Sequence, residues 1–247
     1  MNAALFDLTG HTALVTGSTR GLGLAIARAL AGAGARVAIN GRARETVEAC
    51  AAELENAIAA PFDVTDEASV AAGIARLGPV DVLVNNAGMT MRRPLEEFSL
   101  DEWRRIVDVN LTSAFLVARA VAPGMIGRGR GKIVNVCSVT SEAARETVAP
   151  YAATKGALKM LTRSMCAEWA RHGIQANGLG PGYFRTELTE PLQADPVFDD
   201  WLRKRVPAGR WGEPSELAGA VIFLASAASD FVNGQILYVD GGLLAVV

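Results

Sequence analysis

Four residues of the 247-residue chain have the types and spacing for acid–base work on an oxygen: Asn110, Ser138, Tyr151 and Lys155. Tyr151 and Lys155 stand four apart in the run Tyr-Ala-Ala-Thr-Lys, so on a helix they share a face and an ammonium lies beside a phenol. A neighbouring positive charge favours phenolate and is expected to draw the tyrosine pKa down from its reference of about 10 toward the working pH. Tyr151 then serves as acid and base, and Ser138 hydrogen-bonds the substrate oxygen. Asn110, an amide where a helix does not favour one, is expected to hold a water that relays protons to Lys155. Taken singly, each has an ordinary explanation as a turn serine, a helix-start aromatic, a surface lysine or a packing amide. Their joint occurrence points to chemistry.

A second cluster precedes them. The first apolar run leads into Thr16-Gly17-Ser18-Thr19-Arg20-Gly21-Leu22-Gly23, and an apolar helical segment follows. Strand, glycine turn and helix start are what a pyrophosphate needs: glycines let the backbone approach, and free N–H groups with the helix dipole favour negative charge. Cofactor choice falls at the end of the second strand, where a carboxylate would bind a ribose 2′-hydroxyl. The sequence there is Asn40-Gly41-Arg42, with no acid, so Arg20 and Arg42 are expected to clamp a 2′-phosphate. NADP is therefore expected over NAD.

These residues need a scaffold. Runs rich in Val, Ile and Leu at Thr12–Thr16, Arg36–Asn40, Ile58–Asp63, Val82–Asn85, Lys132–Cys137, Gln175–Leu179 and Gln235–Asp240 alternate with segments apolar at helical spacing. Helix starts fall near Gly21, Arg44, Asp66, Ser99, Pro150 and Glu213, and Ser99 with Glu102 forms a capping box. Continuous apolar strands alternating with helices predict one α/β domain over residues 1–247, a parallel sheet with helices between its strands. Residues 181–212 exceed a routine connection and are expected to form a substrate loop.

Composition excludes several classes. With 24 basic against 26 acidic side chains and a net charge of −2, nothing marks a nucleic-acid or anionic-membrane surface. The longest apolar stretches, such as Ala218–Ala228, fall short of a membrane span, and Asp7 interrupts any signal sequence, so a cytoplasmic protein is expected. Cys50, Cys137 and Cys166 lack metal-binding spacing and are expected to be buried thiols, with no metal site.

The chain resembles the typical short-chain dehydrogenase/reductase superfamily over nearly its whole length. The resemblance rests on TGSTRGLG (16–23), NNAG (85–88), Asn110, Ser138, YAATK (151–155), Pro181-Gly182 and VDGG (239–242). It implies a seven-stranded parallel Rossmann sheet with helices on both faces and a Ser138–Tyr151–Lys155–Asn110 tetrad. It further implies cofactor contacts from Asp63, Val64, Asn86, Ala87, Gly88, Pro181, Gly182 and Thr186, with Lys155 also holding the nicotinamide ribose. Stretches such as RRPLEEF (92–98) and GPGYFRTELT (180–189) are most similar to the gluconate 5-dehydrogenases, also described as 5-keto-D-gluconate reductases. That branch implies an NADP(H)-dependent exchange of D-gluconate and 5-keto-D-gluconate. A sugar acid needs a cation for its carboxylate, and Arg92 or Arg93 is expected to supply it, with Tyr183, Arg185, Glu142 and Arg145 as further polar contacts. Another sugar or polyol dehydrogenase, a 3-oxoacyl-[acyl-carrier-protein] reductase and a dinucleotide-binding sensor without turnover remain alternatives. The family also implies a homotetramer, and the apolar end Leu243-Leu244-Ala245-Val246-Val247 is expected to be buried against another subunit or its own sheet.

Overall fold

A computed structural model of the protein describes residues 3–246 and joins the seven apolar runs into one parallel sheet. Its strands are β1 (Thr12–Val15), β2 (Arg36–Gly41), β3 (Ala57–Pro61), β4 (Val82–Asn85), β5 (Gly131–Val136), β6 (Ile174–Pro181) and β7 (Ile236–Val239), in the spatial order β3-β2-β1-β4-β5-β6-β7. Every expected strand is present, with ends shifted by no more than two residues. The near-continuous hydrophobicity has a direct cause. Val15, Val37, Ile39, Val84 and Val136 pack on one face of the sheet, while the alternate residues Leu14, Ala38, Leu83 and Ile133 pack on the other.

The first face is covered by α1 (Gly21–Gly32), beside which α2 (Arg44–Ala52) runs. The second carries α3 (Glu67–Leu77), and then α4 (Leu100–Val107) passes through a π-helical turn, Asp108–Thr112, into α5 (Ser113–Arg128). Together α4, the π turn and α5 make a 29-residue helix long and apolar enough by composition to cross a membrane. This corrects the reading of Ala218–Ala228 as the longest such stretch, which looked only for uninterrupted runs. Leu116, Val117, Val121 and Met125 bury that helix against the sheet, as a core helix does.

Next comes α6 (Ala149–Trp169). The 181–212 segment is not a plain loop: it carries two helices, α7 (Glu190–Gln193) and α8 (Pro196–Arg205). Its prolines disguise this, since Pro191 and Pro196 sit at helix starts, where a missing N–H costs nothing. Asp195 caps α8 by accepting from the N–H groups of Val197 and Phe198. Finally α9 (Ala218–Ala225) returns to the first face.

The chain end folds onto α8: Leu243 joins Leu202, Val206 and Trp211, while Val246 is exposed and Val247 lies outside the described residues. Of the three free thiols only Cys137 is buried; Cys50 and Cys166 are half-buried.

Candidate active site

One cleft of about 1590 Å³ opens at the carboxyl ends of the strands, across the point where strand order reverses between β1 and β4. Gly17, Thr19, Arg20, Gly21, Leu22, Gly23, Asn40, Arg42, Asp63, Val64, Asn86, Ala87 and Gly88 line one end. Ser138, Tyr151, Lys155, Pro181, Gly182, Tyr183, Thr186 and Arg92 line the rest. Ser18, Arg93 and Asn110 do not.

The glycine turn is built by close approach. Gly17 and Gly21 have φ of 59° and 56°, and a Cβ on Gly23 would lie 2.4 Å from both Asn86 Nδ2 and the Gly17 carbonyl. Asn86 Nδ2 donates to the carbonyls of Thr16 (2.8 Å) and Gly17 (3.0 Å), which pins the turn to β4. Arg20 at the N-cap of α1 provides no side-chain cap, whereas Asp66 and Ser99 cap α3 and α4. Among the described residues, the N–H groups of Gly21, Leu22 and Gly23 therefore have no partner and face the cleft, which suits a dinucleotide pyrophosphate.

Three expected cofactor contacts are otherwise employed. Ser18 is fully buried; its hydroxyl donates to the Val15 carbonyl (2.7 Å) and accepts from the Asn40 N–H (3.0 Å), tying the turn to β2. Asn40 donates to the carbonyls of Ala60 (2.9 Å) and Phe62 (3.1 Å) and accepts from Gly17 N–H (3.2 Å), so its amide is a brace. Arg20 pairs at 3.3 Å with Glu187, on the turn leading into α7. Arg42 is exposed beside Asp63. Burial raises the Asp63 pKa, but bonds from Thr65 and the Arg42 charge outweigh it and hold the carboxyl below its ordinary value.

At the reacting end, α6 presents Tyr151 and Lys155 on one face, with Lys155 Nζ 5.6 Å from the centre of the phenol ring. Nζ donates to the Val136 carbonyl at 2.6 Å. The expected depression of the tyrosine pKa is not found. Burial pushes Tyr151 up, against a hydrogen bond from Ser138 that pulls it down, and burial pushes Lys155 down to about 8. The ammonium lies over the ring and is spent on a carbonyl, so desolvation of both groups prevails over their attraction. Ser138 lies two residues past the end of β5, where its Oγ accepts from the Thr140 N–H at 3.1 Å.

Asn110 is also corrected. Its Nδ2 donates to the Met89 carbonyl (2.9 Å) and Thr154 Oγ1 (3.1 Å), and its Oδ1 accepts from Met89 N–H (2.7 Å). Both amide hydrogens are consumed in fixing the segment after β4 to α6, away from the cleft wall. Gly88 leaves space beside it: a Cβ there would stand 3.6 Å from Asn110 Oδ1 and 3.8 Å from Lys155 Nζ.

The substrate end separates two adjacent arginines. Arg92 lines the cleft, whereas Arg93 pairs with Glu102 at 3.1 Å outside it. Glu142 is held by Lys159 and Tyr238, and Arg185 pairs with Glu213 at 3.1 Å, so neither serves as the polar contact expected of it. Arg145 does reach the wall, and the hydroxyls of Thr90 and Thr140 there are buried without partners. Nothing in sequence spacing marks those threonines.

Residues 17–244 match the family described as enoyl-(acyl carrier protein) reductase. Gluconate 5-dehydrogenase of Gluconobacter oxydans (strain 621H) is 55% identical, over 97% of this chain and 96% of that protein. The 5-keto-D-gluconate 5-reductase of Escherichia coli (strain K12) is 50% identical, over 98% and 99%. A solved gluconate 5-dehydrogenase from Burkholderia cenocepacia J2315, in complex with NADP and tartrate, is 57% identical, superposes with a TM-score of 0.97, and both chains are covered completely. Sheet order, glycine turn and these likenesses agree, and the chain belongs to the short-chain dehydrogenase/reductase family.

Proposed function

We propose that the protein is an NADP(H)-dependent oxidoreductase interconverting the secondary alcohol of D-gluconate and the ketone of 5-keto-D-gluconate. One observation carries this reading: a single cleft joins an uncapped helix start and the exposed Arg42 to Tyr151, Lys155 and Ser138, and continues to Arg92. The relatives' names supply the substrate, and the relative solved with NADP supports the cofactor.

A bound NADP(H) supplies or accepts the hydride. The N–H groups of residues 21–23 hold its pyrophosphate and Arg42 its 2′-phosphate, with Arg20 joining once it leaves Glu187. Thr19, Leu22, Asp63, Val64, Asn86, Ala87 and Gly88 shape the adenosine end, and Pro181, Gly182 and Thr186 the nicotinamide end. Tyr151 Oη gives its proton to the carbonyl oxygen during reduction and takes it back during oxidation. Ser138 Oγ hydrogen-bonds the same oxygen and stabilises its changing charge. Lys155 serves as the charge behind the phenol and as a donor toward the cofactor ribose. Asn110 orders the segment that forms the wall opposite Lys155, and the gap at Gly88 admits a relay water between them. Arg92 binds the substrate carboxylate and Tyr183 flanks it.

We further propose a cytoplasmic homotetramer. Leu100, Phe115 and Met160 on the helices α4 to α6, with Leu237 on the edge strand β7, form exposed apolar faces suited to a second copy. A monomeric mass in solution would refute that assembly. The activity is tested by following NADPH oxidation with 5-keto-D-gluconate and, separately, with neutral ketoses. Turnover of 5-keto-D-gluconate with preference for NADPH is expected, and turnover of neutral ketoses alone would overturn the substrate.

A further inference from the structure

Arg145 comes from the segment between Ser138 and α6, far in sequence from Arg92, yet both guanidinium groups line the same end of the cleft. They are near enough to affect each other: after burial, the Arg145 charge is the main influence lowering the Arg92 pKa. Among the described residues, no carboxylate pairs with either one. Nearby acids are committed elsewhere, Glu102 to Arg93 and Glu142 to Lys159 and Tyr238. Two like charges on one cleft wall repel each other unless an anion completes the site.

Arg145 is also held in place. Its guanidinium lies 4.4 Å from the centre of the Phe198 ring and donates to Tyr183 Oη at 3.4 Å. Phe198 stands on α8 and packs edge-on against Tyr183 (5.4 Å between ring centres) and beside Trp201 (5.1 Å). One cation thus touches both the cleft and the helical segment that covers it.

We propose that Arg145, together with Arg92, binds the carboxylate of a small polyhydroxy acid, making Arg145 a specificity-determining residue that couples carboxylate binding to α8 through Phe198 and Tyr183. Two planar guanidinium forks match the oxygens of a carboxylate, and one fork already stacked on an aromatic ring has less freedom to lose on binding. This inference rests on the sugar-acid reading above and extends it from one arginine to a pair.

The test compares wild type with Arg145→Gln and Arg145→Lys, after equal thermal midpoints show that the variants fold. The substrates are 5-keto-D-gluconate and L-sorbose, which carries a carbinol in place of the carboxylate. Arg145→Gln is expected to raise KM for 5-keto-D-gluconate about 10- to 100-fold with little change in kcat, and to leave kcat/KM for L-sorbose within about twofold. Arg145→Lys recovers part of the loss. Equal losses on both substrates, or none on either, overturn the proposal.

A second measurement needs no turnover. Titrating D-gluconate while following tryptophan fluorescence, to which Trp201 and Trp211 contribute, should give a saturable change in wild type that Arg145→Gln abolishes. An unchanged titration in the variant refutes the Arg145 role. A wild type that binds D-gluconate through Arg145 but does not reduce 5-keto-D-gluconate supports this inference and overturns only the proposed substrate.

Discussion

The two ends of the cleft are built by different means. At the cofactor end the parts are backbone and short side chains locked to strands: Asn86 onto the carbonyls of 16 and 17, Ser18 onto β2, and Asn40 across to β3. At the substrate end the parts are long side chains on a helical cover held by aromatic rings and exposed ion pairs, such as Arg20–Glu187 and Arg185–Glu213. The first end is a mould whose shape is set before a ligand arrives. The second is held by contacts that a ligand's charge can rearrange.

The largest expected effect lies where the two ends meet. Tyr151→Phe should lower kcat by about 1000-fold or more while NADPH still binds, as cofactor fluorescence would show; retention of most of the rate would remove Tyr151 as the proton donor. At the cofactor end, Arg42→Ala should raise KM for NADP about 10- to 100-fold and leave KM for NAD nearly unchanged. Equal changes for both would mean that the exposed guanidinium does not read the 2′-phosphate.

Rigidity of the mould is tested by Gly23→Ala. Its Cβ has only backbone and the Asn86 amide to displace, so a loss of about 1–3 kcal/mol in stability and weaker cofactor binding are expected in urea titrations. An unchanged midpoint would show that the turn yields.

Lys155 gives a pH signature. Its pKa in the fold, about 8, lies below the ordinary lysine value, so with rising pH the folded protein releases that proton before the unfolded chain does. Below pH 8 both states are protonated and the cost of burying the charge is complete; above it that cost is relieved. Wild type should therefore gain stability relative to Lys155→Met as pH rises from about 7 to about 9.5. The comparison with the variant matters, because the raised pKa values of Cys137 and Tyr151 act in the opposite direction in alkali. A constant difference across that range would contradict the buried-ammonium reading.

The smallest effect belongs to the cover. Glu187→Gln should change stability by less than about 1 kcal/mol, since the pair it breaks is exposed, and should lower KM for NADP slightly by freeing Arg20. A large loss of stability would show that the cover is as rigid as the mould.

The legibility of the fold in the sequence follows the same division. The strands were readable because burial on both faces demands unbroken apolar runs, and the glycine turn because φ near 59° at Gly17 and the crowding around Gly23 exclude side chains. Helices α7 and α8 were hidden by prolines that terminate helices only when they lie inside them. The helix that starts at Ser99 is legible from its capping box, but its length and apolar character are not, because charged residues on its exposed side break the apolar run.

Spacing along the chain was sufficient to mark the sheet, the glycine turn and the Tyr151–Lys155 face, since each depends on local backbone periodicity. Folding alone decided which of two adjacent arginines enters the cleft and which pairs with Glu102. It also decided that Arg145 joins Arg92, that Asn110 is a brace, and that burial raises rather than lowers the Tyr151 pKa. Side-chain direction, ion pairing and desolvation are sums over residues distant in sequence, and no local pattern contains those sums.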